Sequence, residues 1–467
     1  MSKSEQEEHI LAAPCLETSQ NRSVDSAIFT AGNWPLRAWW ETFESEQLNG
    51  LIQKALEQNP SIQAVNQRIK AARQAAKIAK ATLFPLVSFD ADETYEFLSH
   101  NGLYKQFNPD LPINANLIDL TLSFNYEFDF WGKNRNLFES ALGIQRAEEA
   151  EAKEVELITT VSLALSYFAL KTNIVKQNLY KRLLEVRKKT SELSNLLKES
   201  ALFSSIEPLF VEEGVWEAEQ KLFVIEEEIQ VNKHQINILA GRGPEEALEV
   251  DGQFGVLPDK IMIPENLSLD LLSRRPDLMA GIWRVESLAH EVGAAKADFY
   301  PNINLGAFIG LESVLYSKLL RGSSSTGGLQ PAIHLPIFTA GAIRANVRAK
   351  KAAFDEAVYV YNDLLLKSTK EVSDLLVLAE SIFKQKKKQD SIVGNARELF
   401  NLALLRERAG LDSLLDSLNA EESFIQKELL NADLLYGQYL ASIKLTKALG
   451  GGYESSLRLP LKGGCDE

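Results

Sequence analysis

Two carboxylates, Asp412 and Asp416, follow Gly410 in the stretch AGLDSLLDSLN, and Glu207 lies 209 residues before Asp416 in SSIEPLF. If identical chains each bring one such acid to a shared axis, the acids form a ring that attracts cations, repels anions and resists narrowing. The same acids suit a plainer role, because carboxylates in a first helical turn meet the positive end of the helix. Position alone leaves both readings open. Other reactive residue types lack a partner set. His334 sits in a strand pattern among apolar residues while the other four histidines are scattered, so it reads as a lumen-side or packed residue and not as a metal ligand. Gly241-Arg242-Gly243-Pro244 and Gly450-Gly451-Gly452 read as helix ends or linkers, since neither follows a strand in a βαβ unit. No nucleophile elbow, HExxH, dinucleotide fingerprint or metal cluster is present, so the sequence predicts no catalytic site, no cofactor and no metal.

Composition narrows the classes further. The chain has 467 residues, 45% hydrophobic, with 50 Lys plus Arg against 64 Asp plus Glu and a net charge of −14. Enough apolar material exists for a core, and nothing resembles the basic footprint of a nucleic-acid binder. Cys15 and Cys465 lie near opposite ends and fit neither CxxC spacing nor a disulfide framework. No run of ~18 or more apolar residues occurs, which excludes an ordinary transmembrane helix but not a barrel with alternating faces.

The elements that would position these residues show two internal echoes. Pro60, Ala64, Arg68, Ala79, Lys80, Ala81 and Pro85 recur as Pro276, Ala280, Arg284, Ala295, Lys296, Ala297 and Pro301, all displaced by 216 positions. FDFWGKNRNLFESA resembles PIFTAGAIRANV once Gly132 is set on Gly341, which places Arg135 on Arg344 at a displacement of 209. We read a duplicated unit, each half running helix, strand, loop, strand, very long helix. Pro85 and Pro301 lack an N–H and mark helix-to-strand transitions. Gly132 and Gly341 mark tight turns from strand to helix.

The strands carry the clearest local signal. From Ile118 to Phe130 the even positions are apolar (Ile118, Leu120, Leu122, Phe124, Tyr126, Phe128, Phe130) and the odd positions Asp119 to Asp129 are polar. Val87, Phe89, Ala91, Tyr95 and Phe97 form a similar row, broken by Glu93, and Ile303, Leu305, Ala307, Ile309 and Leu311 form a third. A fourth, around Ile333, Leu335 and Ile337, is shorter. These predict strands at about 86–98, 118–130, 302–312 and 329–339, with HNGLYKQFNPDLPINAN and YSKLLRGSSSTGG as exposed loops. Proline-free stretches from Lys133 to Ser200 and from Ala342 to Ala409 could each extend about 100 Å as helix. Val372, Leu375, Ala379 and Ile382 step with knobs-into-holes spacing. Four strands cannot close a barrel, and known outer-membrane barrels have at least eight. Several chains must therefore share one, with two or three copies equally compatible with the strand pattern.

The ordered set WWETFESEQLNGLIQKALEQNPSIQAVNQRIKAAR, FDFWGKNRNLFESA, SRRPDLMAGIWRVESLAHEVGAAKADFYPNINL, PIFTAGAIRANV, AGLDSLLDSLNAEESF and TKALGGG resembles the TolC-like outer-membrane efflux factors over roughly residues 34 to 452. It resembles most narrowly the outer-membrane lipoprotein branch that serves resistance-nodulation-division pumps. The resemblance implies an α+β homotrimer with one shared twelve-stranded β-barrel, four strands per chain, continued by a long periplasmic α-helical barrel with an equatorial collar. It implies a passive conduit for drugs or other small toxic solutes, supplied by an inner-membrane pump through a periplasmic adaptor protein. It also implies that Asp416 and Asn419 stand at the periplasmic aperture near Asp412, with Glu207 the counterpart in the first half. Asn419 replaces a second acid, and EPLF replaces an aspartate-containing turn. The implied lipidation site is Cys15, although MSKSEQEEHILAAPC departs from the expected lipobox. A type I secretion duct shares this architecture, and a soluble coiled-coil scaffold is the reading of a different class. The expected divisions are an extension or tether at 1–33, a first repeat at 34–241, an equatorial linker at 242–269, a second repeat at 270–450 and a tail at 451–467.

Overall fold

A computed structural model describes residues 10–11, 29–110, 112–254, 257, 261–264 and 273–454. Cys15 and Cys465 lie outside the described residues. A short strand β1 (Phe29–Gly32) precedes helices α1 (Glu46–Gln58) and α2 (Pro60–Ala81). Strand β2 (Leu86–Phe97), short helix α3 (Leu103–Phe107) and strand β3 (Asn114–Phe128) lead into helix α4 (Lys133–Glu199), and α5 (Ile206–Leu239) returns. After β4 (Ile261–Pro264) the order resumes with α6 (Pro276–Ala297), β5 (Asn302–Ser313), α7 (Tyr316–Leu319), β6 (Ser325–His334), α8 (Ala342–Arg408) and α9 (Leu414–Ala448).

Lengths match across the two halves. Helices α2 and α6 both have 22 residues, β2 and β5 both have 12, and their boundaries differ by 216. Helices α4 and α8 both have 67 residues, with boundaries offset by 209. Pro85 and Pro301 stand immediately before β2 and β5, where a missing N–H ends a helix without weakening the following ladder. Gly132 and Gly341 adopt φ +71° and +86°, a backbone region that side-chain-bearing residues rarely enter.

The chain divides into two compact units that cut across both halves. The first contains residues 69–148 and 281–360. Its four strands form one antiparallel sheet in the order β2-β3-β5-β6, so β2 and β6 are the edges. Ser140 Oγ and Ser287 Oγ meet at 2.9 Å between α4 and α6, and Lys350 of α8 pairs with Glu291 of α6 at 2.6 Å. With α2 flanking the other side of α4, the helices of this unit form a row α2-α4-α6-α8.

The second unit contains residues 10–68, 149–280 and 361–467. Arg187 of α4 bonds Glu217 of α5 and Glu422 of α9 at once, at 3.3 and 2.9 Å, which places α4 between them. Helix α9 packs on α8 through stacked Phe400 and Phe424 and through Arg397–Glu428. Its row is therefore α5-α4-α9-α8. The largest core joins Trp39, Phe43, Leu48 and Ile52 to Tyr167, Phe168 and Tyr439, with Phe168 and Tyr439 stacked at 4.0 Å. Burying such rings removes the greatest apolar area per residue ordered. One window of α4 is apolar and long enough to cross a membrane by composition, yet 61% of it is buried, as befits a core helix. Val372, Leu375 and Ala379 are buried against Ala441 and Leu445, with Ile382 beside Gly437, as the seam spacing predicts.

Two expectations need correction. The fourth strand spans 325–334 rather than 329–339, so Ser325 to Gly328 lie in strand and Leu335, Pro336 and Ile337 do not. Its register explains this: Leu311 pairs with Ser325 at the hairpin end, and Gly328 lies under the Phe308 ring, where an added Cβ would come within 2.8 Å. The second expected strand, 118–130, likewise begins earlier and ends earlier, at 114–128, its end set by Asp129 turning to cap α4. Segments read only as tether and linker also supply β1 and β4, which pair in parallel from Phe29↔Ile261 to Gly32↔Pro264.

A charged cluster in the second unit was not foreseen. Arg275, 6% exposed, donates to Asp277 Oδ1 and Oδ2 at 3.1 and 2.7 Å, to Glu371 at 2.9 Å and to the Ala448 carbonyl at 3.1 Å. Lys447 also reaches Glu371 at 3.3 Å. Burial, reinforced by the charge of Asp277 and opposed by Arg275, pushes the Glu154 carboxyl up to about 7. Such a group holds in the folded state a proton that the unfolded chain releases above about pH 4.5, so its effect is a loss of stability as pH rises toward 7, at most ~3 kcal/mol. Glu154→Gln should therefore flatten the fall in thermal midpoint between pH 5 and 8 in detergent, and raise the midpoint at pH 8. Parallel curves for the two proteins would show that Glu154 ionises normally.

Candidate transmembrane sheet and periplasmic turns

The strand register joins the alternating rows into continuous faces. Val87, Phe124, Ala307 and Leu329 align across the four strands, as do Phe89, Leu122, Ile309 and Gly327. One step along, Ala91, Leu120 and Leu311 continue the same face. The opposite face aligns Asp92, Asp119 and Glu312, then Asp90, Thr121, Gly310 and Thr326. His334 pairs with Asn302 on this polar side and is exposed, not packed. The apolar face is uncovered: Val87, Phe89, Leu122, Ile309 and Leu329 are all exposed, Leu329 by 75%. A water-facing sheet would leave this continuous apolar surface exposed, at a cost of roughly 25 cal/mol per Å². Glu93, the exception in its row, accepts from Tyr316 Oη and from Asn116 Nδ2, the latter at 2.9 Å.

The junctions between helix and strand are fixed by local chemistry. Asp129 accepts from the Asn134 and Arg135 N–H groups at 3.0 and 2.8 Å, satisfying two free donors at the start of α4. Trp131 stacks on Tyr300 at 4.6 Å and donates to the Pro301 carbonyl at 2.8 Å, tying the two junctions together. Asn136 spans Gly132 O and His290 Nδ1, and a Cβ at Gly293 would strike it at 2.9 Å.

At the far turns each acid singled out in the sequence has a local partner. Asp416 is the third residue of α9 and forms a reciprocal capping box: the Ser413 N–H donates to Asp416 Oδ2 at 2.9 Å, and the Asp416 N–H donates to Ser413 Oγ at 3.3 Å. Asp412 accepts both arms of Arg406 at 2.6 and 2.8 Å, and this guanidinium holds its carboxyl below the usual range. Glu207 accepts from Ser204 Oγ, which lowers its pKa as well. Asn419 is exposed on the same first turns of α9. Asp416 and Glu207 thus serve their own helix starts, while both remain exposed.

The two turns close alike. Leu411 N–H donates to Arg406 O and Leu202 N–H to Leu197 O, both at 2.9 Å, as six-to-one bonds of a left-handed helix end. Gly410 takes φ +70°, but its counterpart is Ala201 at φ +58°. An alanine there costs about 1 kcal/mol relative to glycine. Ala201→Gly should raise the thermal midpoint by about that free energy, and Gly410→Ala should lower it; a fall on Ala201→Gly would mean that its methyl contributes packing that outweighs the backbone strain.

The sequence matches the family profile described as OEP, outer membrane efflux protein, over residues 51–195 and 267–451. It is 30% identical over 468 residues to the multidrug resistance outer membrane protein MdtQ of Escherichia coli O157:H7, covering 95% of each chain. The fold superimposes on the outer membrane protein VceC from Vibrio cholerae with a TM-score of 0.80 and 31% identity, covering 90% of this chain and 100% of that one. It also superimposes on the Campylobacter jejuni CmeC outer membrane channel with a TM-score of 0.84 and 22% identity, covering 93% and 92%.

Proposed function

The chain belongs to the outer membrane efflux protein family, and from that premise we propose that three copies close one twelve-stranded barrel and pass solutes from an inner-membrane pump and a periplasmic adaptor to the exterior. It is an outer-membrane channel component of a multidrug efflux system, a non-catalytic conduit. The observation that carries the shared barrel is the sheet: its apolar rows are in register and uncovered, and β2 and β6 are edges without partners among the described residues. Lipid tolerates no open edge, so β6 of one copy must pair with β2 of the next.

The helices support the same closure. Helices α2 and α8 end one row, and α5 and α8 end the other. Helix α5 exposes Leu209, Trp216 and Phe223 at seven-residue spacing, and α8 exposes Ile392 and Leu399 at the same spacing. Each row of knobs lacks its holes within one copy. Different edges meeting head to tail make a ring when the rotation closes, and three is the number implied by the family resemblance. The equal element lengths at offsets of 216 and 209 support descent from one duplicated unit, giving each copy two hairpins and two long helices.

In this reading the turn at Asp416 and Asn419 forms the periplasmic aperture. Asp416→Asn keeps an oxygen that can cap α9 and removes only the charge, so it should reduce cation preference without loss of assembly. Asn419→Asp should increase it. Reversal potentials across a planar bilayer under a salt gradient measure both. Unchanged selectivity in both variants, with large shifts on Glu207 replacement, would move the aperture to the α4–α5 turn.

A further inference from the structure

No acidic residue occurs between Glu57 and Asp90, although the chain as a whole is acidic, while Arg68, Lys70, Arg73, Lys77 and Lys80 all fall in that interval. Lys70, Arg73, Lys77 and Lys80 recur at helical spacing and line a 460 Å³ groove between α2 and α4, floored by Phe138 and Leu142. The matching helix α6 has no such strip, since Asp277, Glu286 and Glu291 alternate there with Arg284 and Lys296. Among the described residues Lys70, Lys77 and Lys80 form no ion pair. Lys77 and Lys80, three residues apart, repel one another, so this end of the strip costs stability unless something anionic lies against it.

We propose that this groove binds the phosphate headgroup of an anionic glycerophospholipid in the periplasmic leaflet of the outer membrane. The placement along the chain favours a lipid over a free anion. Lys80 precedes Phe84 by four residues, about one helical turn, and Phe84, Phe130, Trp131, Phe299 and Tyr300 form an exposed aromatic set where helices become strands. Aromatic rings of this kind mark the headgroup level of a membrane protein, and basic residues just beyond it attract anionic lipid. Cations beside Phe138 and Leu142 give the groove one wall for phosphate and one surface for the glycerol and first methylenes. The proposal also draws on the shared-barrel reading. Pairing β6 with β2 brings the start of α8 beside α2, and that segment offers Arg344, Arg348 and Lys351, Lys350 being held by Glu291 of its own copy, with no acid of its own between Glu312 and Asp355. The neighbouring copy therefore does not neutralise the membrane-proximal end of the strip.

Native mass spectrometry of the detergent-solubilised assembly, titrated at constant ionic strength with phosphatidylglycerol, phosphatidylcholine or inorganic phosphate, tests this. Phosphatidylglycerol should be retained in preference to phosphatidylcholine, and Lys77→Gln with Lys80→Gln should lower its retention about fivefold per lysine. Lys77→Arg with Lys80→Arg should retain it, which separates lost charge from lost fold. Equal retention of both lipids, indifference to the glutamine pair, or displacement of phosphatidylglycerol by equimolar inorganic phosphate would overturn the lipid site. The same spectra count chains. A trimer that ignores phosphatidylglycerol defeats the lipid site alone, and single chains that bind it through these lysines defeat the shared barrel alone.

Discussion

Leu122→Arg is expected to deplete the protein from the outer membrane, while Ser123→Arg leaves most of it there. The two residues are adjacent on β3 and project to opposite faces, Leu122 into the row with Phe89 and Ile309 and Ser123 into the row with Ser88 and Phe308. An arginine near the lipid midplane of a barrel costs ~2–4 kcal/mol, and a shared barrel imposes it once per copy. On the polar face the same side chain meets water and the carboxylate of Asp90, which already accepts from Ser123 Oγ at 3.1 Å. Quantifying each variant in purified outer membranes reads the difference directly. Equal yields, or loss confined to the Ser123 variant, would reverse the assignment of faces.

Arg275→Ala should be the most damaging single change in the second unit, at about 3–5 kcal/mol. The guanidinium is almost wholly buried and neutralises Asp277 and Glu371 while bonding the last turn of α9 through the Ala448 carbonyl. Removing it leaves two carboxylates facing each other with Lys447 alone to offset them, and frees a helix-end carbonyl without a donor. Arg275→Lys should lose much of this too, because an ammonium cannot hold Asp277 with two parallel bonds and reach Glu371 as well. Thermal midpoints in detergent and resistance to protease check both variants. A midpoint within a degree of the parent for Arg275→Ala would show that the cluster is solvated and of little energetic weight.

Features set by one residue's backbone chemistry were readable in the sequence. Pro85, Pro301, Gly132 and Gly341 stand at the junctions they predict, because a missing N–H or a positive φ admits few alternatives. The strands β2, β3 and β5 were readable through alternation, which a sheet with one lipid face and one watery face enforces over many residues. Strand β6 was misplaced because its first half, STGG, carries almost no side chain to alternate, and Pro331 reads as a breaker although an edge strand accepts it opposite Leu305. The β1–β4 pair was missed since four residues are too few to show a period. The Arg275 cluster was also illegible: its partners Glu371 and Ala448 lie 96 and 173 residues away, and only the packed helices bring them together. At the turn between α8 and α9 the sequence offered two readings of Asp416, and the capping box establishes one of them.

The central claim is that one chain contributes a third of a closed barrel, its open edges satisfied by neighbours. Native mass spectrometry of protein extracted from outer membranes in mild detergent tests it most directly, combined with an amide-exchange measurement on the edge strands β2 and β6. The account predicts three chains per particle, with β2 and β6 protected as strongly as β3 and β5, and loss of that protection when the particle dissociates. A stable monomer whose four strands all remain protected would contradict it.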